Sequence, residues 1–344
     1  MTSILSSLLN VTHEKNRGEY SVLEGFESAA FVALFVFMII TSIVGNISAF
    51  YVVLQDANQS MDKSSRVLIA LLAASDMGLA ITIIPLRIME FLRSSFSLGL
   101  CLWYIVGDVF FSTSIILTLL AMAINCFIKV QFPFTYEEKV TSGNVIFVSI
   151  TIWIYSLFCG ILSPLGWNDS FKLAIKNSGG TCRFSNSSYM MVISTFNFCI
   201  PLIITFLIYI YLSTSLMMQH RKCIENVRYR HKERELKTAF TFMVIYVTFL
   251  ICWLPNFSMV YLYQLRAESL EVFVQEHPRL FRHLYNLFVV VLPPINSVCD
   301  PILYGLHHAT FKKSWNRGAR KARGSSALSY VRKARGSTVL TYVE

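Results

Sequence analysis

Three carboxylates stand inside stretches of sequence that otherwise carry almost no charge. Asp76 lies in LLAASDMGLA, Asp108 in WYIVGDVFF and Asp300 in NSVCDPILY. A charge at membrane depth costs roughly 2.5–3.5 kcal/mol on insertion scales, so a carboxylate kept there points to function. Asp76 and Asp300 read as a pair. Two carboxylates in one low-dielectric site must hold a cation or share a proton. With Asn296 as a further donor, a bound sodium ion is one reading and a structural hydrogen-bond network around a shared proton is the other. Asp108 follows Cys101 by seven residues, two helical turns, and Ser112 lies one turn later on the same face. A carboxylate facing a pocket at that depth suits a protonated amine. Another polar ligand, or a hydrogen bond to a neighbouring helix, are the alternatives.

The elements that must position these groups are seven apolar runs: Phe31–Leu54, Val67–Leu92, Leu100–Val130, Val145–Leu165, Tyr189–Met217, Thr238–Tyr263 and Leu284–Leu306. Each has the length, about 20 residues, that carries a helix across some 30 Å of hydrocarbon. The chain of 344 residues is 54% hydrophobic and 15% charged, against about a quarter charged for a soluble domain. The expected fold is all-α, a seven-transmembrane helix bundle over residues 31–306. The runs lack the short alternation of β-barrel strands.

Lys and Arg crowd the segment QHRKCIENVRYRHKERELK and the tail after Phe311. Positive loops stay cytoplasmic, which puts both inside and residues 1–30 outside, in a multi-pass plasma-membrane protein. The net charge of +10 is then mostly an inner-surface property, suited to anionic lipid and a cytosolic partner rather than to nucleic acid. No basic, apolar leader opens the chain, so the first run is expected to act as its own insertion signal. Sequons at Asn10, Asn168 and Asn186 fall on the outer side. Of eight cysteines, only Cys101 and Cys182 are expected outside, where a disulfide between them would pin the second outer loop over the bundle. Pro201, Pro255 and Pro301 each remove a hydrogen bond within a run and predict a kink. Trp253 lies just before the middle one and Phe249 one turn below, so filling a pocket there could swing a helix.

Taken in order, these residues resemble the rhodopsin-like (class A) G-protein-coupled receptors. The resemblance runs from Gly45-Asn46 through AASD ending at Asp76, Cys101, Trp153, Cys182, Pro201 with Tyr209, CWLP at Cys252–Pro255 and DPILY at Asp300–Tyr304, to Phe311. Phe311 is expected to open a short amphipathic eighth helix over 307–318, with a basic cytoplasmic tail over 319–344. Within the family, SPLGWN and CRF are similar to the adenosine receptors, whereas Asp108 matches the amine-receptor counter-ion. The resemblance implies a small amine or nucleoside-like ligand held by Asp108, Ser112, Phe184, Ser194, Asn197, Trp253, Asn256 and Phe257. The chain also departs from both groups. Val260 stands where adenosine receptors carry an adenine-binding Asn, and Pro293-Pro294 replaces their Ser-His pair. The seventh run has no Lys, so no retinal Schiff base can form.

In the family the third helix ends in Asp-Arg-Tyr, and the arginine clamps the resting state and later meets the G-protein. Here the residues are Asn125, Cys126 and Phe127. A thiol is neutral near pH 7 and a poor donor, so Cys126 cannot pair with Glu235, which matches the sixth-helix acid. Phe134 still offers an apolar knob to a G-protein, and Tyr209 and Tyr304 match the family's switch tyrosines. The expectation is atypical coupling to a heterotrimeric G-protein. A poorly signalling binder, a decoy or a partner in a homo- or hetero-dimer, is the alternative. The tail repeats RKARGSSALSYV as RKARGSTVLTYV. Two twelve-residue copies bury no core, and they read as a duplication in a disordered tail or as a phosphorylation-released lipid contact. No nucleophile–base or metal constellation suggests an enzyme. No inverted repeat suggests a transporter, and no cofactor is expected beyond a possible sodium ion.

Overall fold

The computed structural model describes residues 20–55, 61–92, 96–165, 187–220, 227–307 and 311. Seven of its helices are long and apolar enough to cross a membrane. The first span is Tyr20–Leu54. The second starts as Lys63–Gly78, passes a π-helical turn at Leu79–Ile83 and ends as Ile84–Phe91. The third is Leu98–Gln131 and the fourth Ser142–Leu165. The fifth runs from Ser187–Ser194 through a π turn at Thr195–Cys199 into Ile200–His220. The sixth is Val227–Leu265. The seventh runs from Pro278–Tyr285 through a π turn at Asn286–Val291 into Leu292–His307. Among the described residues there is no strand. The expected all-α seven-transmembrane bundle is what forms. Phe311 is buried and its ring stacks on Tyr304, with centroids 5.3 Å apart. The rest of the expected eighth helix and the tail repeat lie outside the described residues.

Three features depart from the hydropathy reading. The first and sixth helices begin at Tyr20 and Val227, well before their apolar runs. Hydropathy marks only the lipid-buried length, whereas straight-chain residues such as those of RHKERELK continue a helix into polar surroundings. A further helix, Ala267–Glu276, joins the sixth and seventh spans, and Pro278 then opens the seventh at its first turn, where a missing N–H costs nothing. Met259, Leu270, Val274 and Phe281 form a small core of their own there. The three π turns each insert one residue into a turn, a change too small to alter an apolar run.

The third span is the axis, packing against the second, fourth, fifth and sixth, while the seventh closes the ring against the first and sixth. Ser97 starts the third span by accepting a hydrogen bond from the Leu100 N–H, and Asp62 starts the second by accepting one from the Ser65 N–H at 2.9 Å. Polarity is arranged for lipid. Phe37, Phe147, Phe196 and Ile251 lie exposed, whereas Ser42, Asn46, Asp76 and Asp300 are fully buried. Lipid tails give apolar helix faces no reason to associate, so small residues and polar groups draw the helices together. An added Cβ on Gly160 would stand 2.7 Å from the Val106 carbonyl oxygen, and one on Gly45 would stand 2.6 Å from the Pro301 ring. Gly160→Leu is therefore expected to cost about 1–3 kcal/mol, the range for overpacking, read as a lower unfolding temperature in detergent. An unchanged temperature would mean the third and fourth spans part freely at that point.

Candidate functional site

At the Cys101 end of the bundle, Asp108 does not stand alone. Its Oδ1 accepts a hydrogen bond from Arg87 Nη2 at 2.8 Å, and Nη1 of the same guanidinium donates to the Val289 carbonyl at 2.7 Å. Arg87, in the second span, is a site residue that sequence reasoning missed. The Ser112 hydroxyl turns back on its own helix to donate to the Asp108 carbonyl. Asn197 is buried and its Oδ1 accepts from the Tyr155 hydroxyl at 2.7 Å, which leaves its Nδ2 as a donor with no partner. The π turn at Thr195–Cys199 keeps the consecutive Asn197 and Phe198 both inside. Tyr155 and Phe198 were also unforeseen.

Phe257 stacks on Phe198 with centroids 3.4 Å apart, and lies 5.9 Å from Trp253, which stacks on Phe249 at 5.8 Å. The buried Trp253 Nε1 has no partner. The structure thus brings Phe257, Trp253 and Phe249 into one aromatic column. Ser194 is buried and Asn256 half-buried. Cys101 is fully buried. Cys182, its expected disulfide partner, and Phe184 lie outside the described residues.

Below this column Asp76, Asn296, Asp300, Asn46 and Tyr304 are all buried. Asp76 and Asp300 lie within electrostatic reach of each other, and Asn296 Nδ2 donates to Asp300 Oδ2 at 3.4 Å. Both Asp76 oxygens, Asp300 Oδ1, Asn296 Oδ1, Asn46 Oδ1 and the Tyr304 hydroxyl have no partner. This set is all oxygen, the donor type that a hard cation prefers. The residues present therefore fit a sodium ion, and a proton shared by the two carboxylates would serve the same pair.

At the other end of the third span, Cys126 is buried beside Tyr209, whose ring lies 5.5 Å from Tyr246. Phe127 packs on Tyr211 at 5.4 Å, and the Tyr211 hydroxyl donates to Gln131 Oε1 at 2.7 Å. A cation among the described residues here is Lys129, nearly one turn on. Its Nζ pairs with Asp62 and donates to Ser65 Oγ at 3.0 Å. Asn125 Nδ2 donates to Ser65 Oγ at 3.3 Å, and its Oδ1 accepts from the Tyr136 hydroxyl at 2.7 Å. A polar knot thus ties the second span, the third span and the Tyr136 turn together. Phe134 is 73% exposed beside it. The Glu235 side chain lies outside the described residues. Burial alone would raise the Asp62 carboxyl, but the Lys129 ammonium, with hydrogen bonds from Lys129 and Ser65, outweighs it and holds the group below the usual carboxylate range.

A seven-helix membrane bundle with a polar cluster at one end, buried carboxylates in the middle and an aromatic column defines a class of receptor. The chain belongs to the family described as 7 transmembrane receptor (rhodopsin family), whose model matches residues 45–304. It is a class A G-protein-coupled receptor and not an enzyme. Its curated relatives include adenosine receptor A2b of Rattus norvegicus, 24% identical over 313 residues, covering 85% of this chain and 90% of the relative. Adenosine receptor A3 of Ovis aries is 24% identical over 302 residues, covering 86% and 91%.

The Asp62–Lys129 pair carries a pH signature. Because the Asp62 carboxyl is held low, its contribution is complete above the ordinary carboxylate value, about 4, and is lost as pH falls through the lowered value. Asp62→Asn is expected to cost about 1–3 kcal/mol near neutrality, the range for leaving a buried partner unsatisfied, and to abolish that acid-side loss in thermal unfolding. A wild-type advantage that persists unchanged into strong acid would refute the assignment.

Proposed function

We propose that this chain is a receptor for a small extracellular ligand, amine or nucleoside-like, whose coupling to heterotrimeric G-proteins is weak or unconventional. The ligand sits between Asp108, Asn197, Trp253 and Phe257, under a lid that Cys101 and Cys182 tether and to which Phe184 contributes. In this reading the Cys101 end faces outward and the basic segments face the cytosol, where anionic lipid and the G-protein lie. The kinship to adenosine receptors supports a nucleoside-like ligand, and the partnerless Asn197 Nδ2 supports a ligand with a hydrogen-bond acceptor.

The observation that carries the coupling reading is Cys126. It occupies the arginine position of the family, is buried against Tyr209, and can offer no positive charge to a partner. The nearby cation, Lys129, is engaged with Asp62 and Ser65. The same observation favours a second reading, a receptor that binds and scarcely signals, acting as a decoy or as one half of a dimer. In a G-protein turnover reporter challenged with a panel of amines and nucleosides, the wild type is expected to respond weakly. Cys126→Arg should raise turnover several-fold with unchanged ligand binding. Strong ligand-dependent turnover by the wild type would sink the coupling reading.

The buried oxygens around Asp76 and Asp300 are proposed to hold sodium, the alternative being the shared proton. Purified receptor is expected to unfold at a higher temperature in sodium than in an equal concentration of a bulky organic cation, and Asp76→Asn should remove the difference. Equal unfolding temperatures for the wild type in both salts would favour the proton.

A further inference from the structure

The Arg87–Asp108 pair changes what the cup can recognise. A lone carboxylate at that depth is an ammonium counter-ion, but this one already has a cation. We propose that Arg87 turns Asp108 into a hydrogen-bond acceptor for an uncharged, hydroxyl-bearing ligand and makes the cup discriminate against protonated amines. The proposal rests on the receptor reading above and names the ligand class of that same cup.

Three observations carry it. The first is how Arg87 is held. Val289 is followed by Pro293 four residues on and Pro294 five residues on. Neither has an N–H, so neither an α-helical nor a π-helical bond can reach the Val289 carbonyl. In lipid that carbonyl must be answered from within the protein. Arg87 Nη1 answers it at 2.7 Å, which anchors the guanidinium to the seventh span independently of Asp108. The guanidinium is therefore a fixed part of the wall, and not a side chain that swings aside for a ligand cation.

The second is exposure. The Arg87 side chain is 7% exposed and that of Asp108 is 35%. What a ligand can touch is the free edge of the carboxylate, while the positive charge lies behind it. A ligand ammonium on that edge would stand within the roughly 4–6 Å over which like charges oppose one another. A hydroxyl there donates its hydrogen bond without that penalty. The third is the donor set around it. Ser112 has spent its one hydroxyl donor on the Asp108 carbonyl, so this turn of the third span presents acceptors, the charged carboxylate foremost. In the fifth span the buried Asn197 Nδ2 is a donor with no partner, which suits a ligand that carries a ring or carbonyl acceptor as well as hydroxyls.

The pair also explains why the Pro293-Pro294 step is compatible with a polar ligand site. The two prolines remove the side chains through which the resembling receptors would work, and they create the carbonyl that holds Arg87 in place.

The test uses purified full-length receptor with two probes, 2-phenylethylamine and adenosine, and direct binding as the readout. Arg87→Gln removes the charge and keeps an amide donor for the Val289 carbonyl. It is expected to bind 2-phenylethylamine at least tenfold more tightly than the wild type, and Arg87→Gln with Asp108→Asn should lose that gain. Folded Arg87→Gln protein with no gain would overturn the inference. So would a wild-type receptor whose 2-phenylethylamine binding falls tenfold in Asp108→Asn, an outcome readable even if Arg87→Gln does not fold. Failure of the wild type to bind adenosine speaks against the nucleoside reading of the receptor, and leaves the amine comparison to judge Arg87.

Discussion

A backbone carbonyl that has lost its N–H partner to proline cannot turn to water inside a bilayer, and the architecture of this bundle follows from answering such carbonyls. Pro301 deprives the Ser297 carbonyl of its helical partner four residues on. Asn46 Nδ2, from the first span, donates to that carbonyl at 3.0 Å, and also to the Ser42 carbonyl at 3.0 Å. Pro293 and Pro294 deprive the Val289 carbonyl, and Arg87 answers from the second span. The seventh span is thus tied to the first and second by hydrogen bonds that exist because its own ladder is broken. One tie ends within a turn of Asp300 in the chain and the other on the guanidinium that holds Asp108.

Those ties also decide how the two ends can communicate. Phe257, Trp253 and Phe249 form a stacked column, and Asp76 and Asp300 are buried within the same bundle. Rings in contact move together, because a close-packed interior leaves no room for one to shift alone. Further along the bundle, Cys126 of the third span is a small, buried thiol beside Tyr209. The polar knot of Asp62, Ser65, Asn125, Lys129 and Tyr136 holds the second and third spans to each other. Among the described residues that restraint joins the second span to the third.

Much of the fold was legible from the residues. Apolar runs of bilayer length give seven spans whatever the side-chain detail, because an unpaired backbone cannot cross hydrocarbon. The carboxylates at Asp76 and Asp300 were legible as a pair for a related reason: isolated charge is too costly at that depth to be accidental. What was not legible was Arg87. It stands near the end of its apolar run, where a long cationic side chain ordinarily reaches for the interface, and nothing local says that it turns inward instead. The Pro-Pro step was visible in the sequence, but the carbonyl it exposes acquires meaning only once the second span is known to pass beside it. Tyr155 was hidden likewise, since its hydroxyl reaches Asn197 from a helix distant in sequence.

The sequence alone determined that this chain spans a membrane seven times, places carboxylates among the helices and lacks a cation at residue 126, because hydropathy, charge cost and residue identity are properties of single positions. Tertiary structure decided which cations the acids meet: Arg87 with Asp108, and Lys129 with Asp62. Coulomb energy in a low dielectric depends on separations of a few ångströms between residues 21 and 67 positions apart in the chain. Only the packing of the helices fixes those separations, and with them whether Asp108 awaits a cation or already holds one.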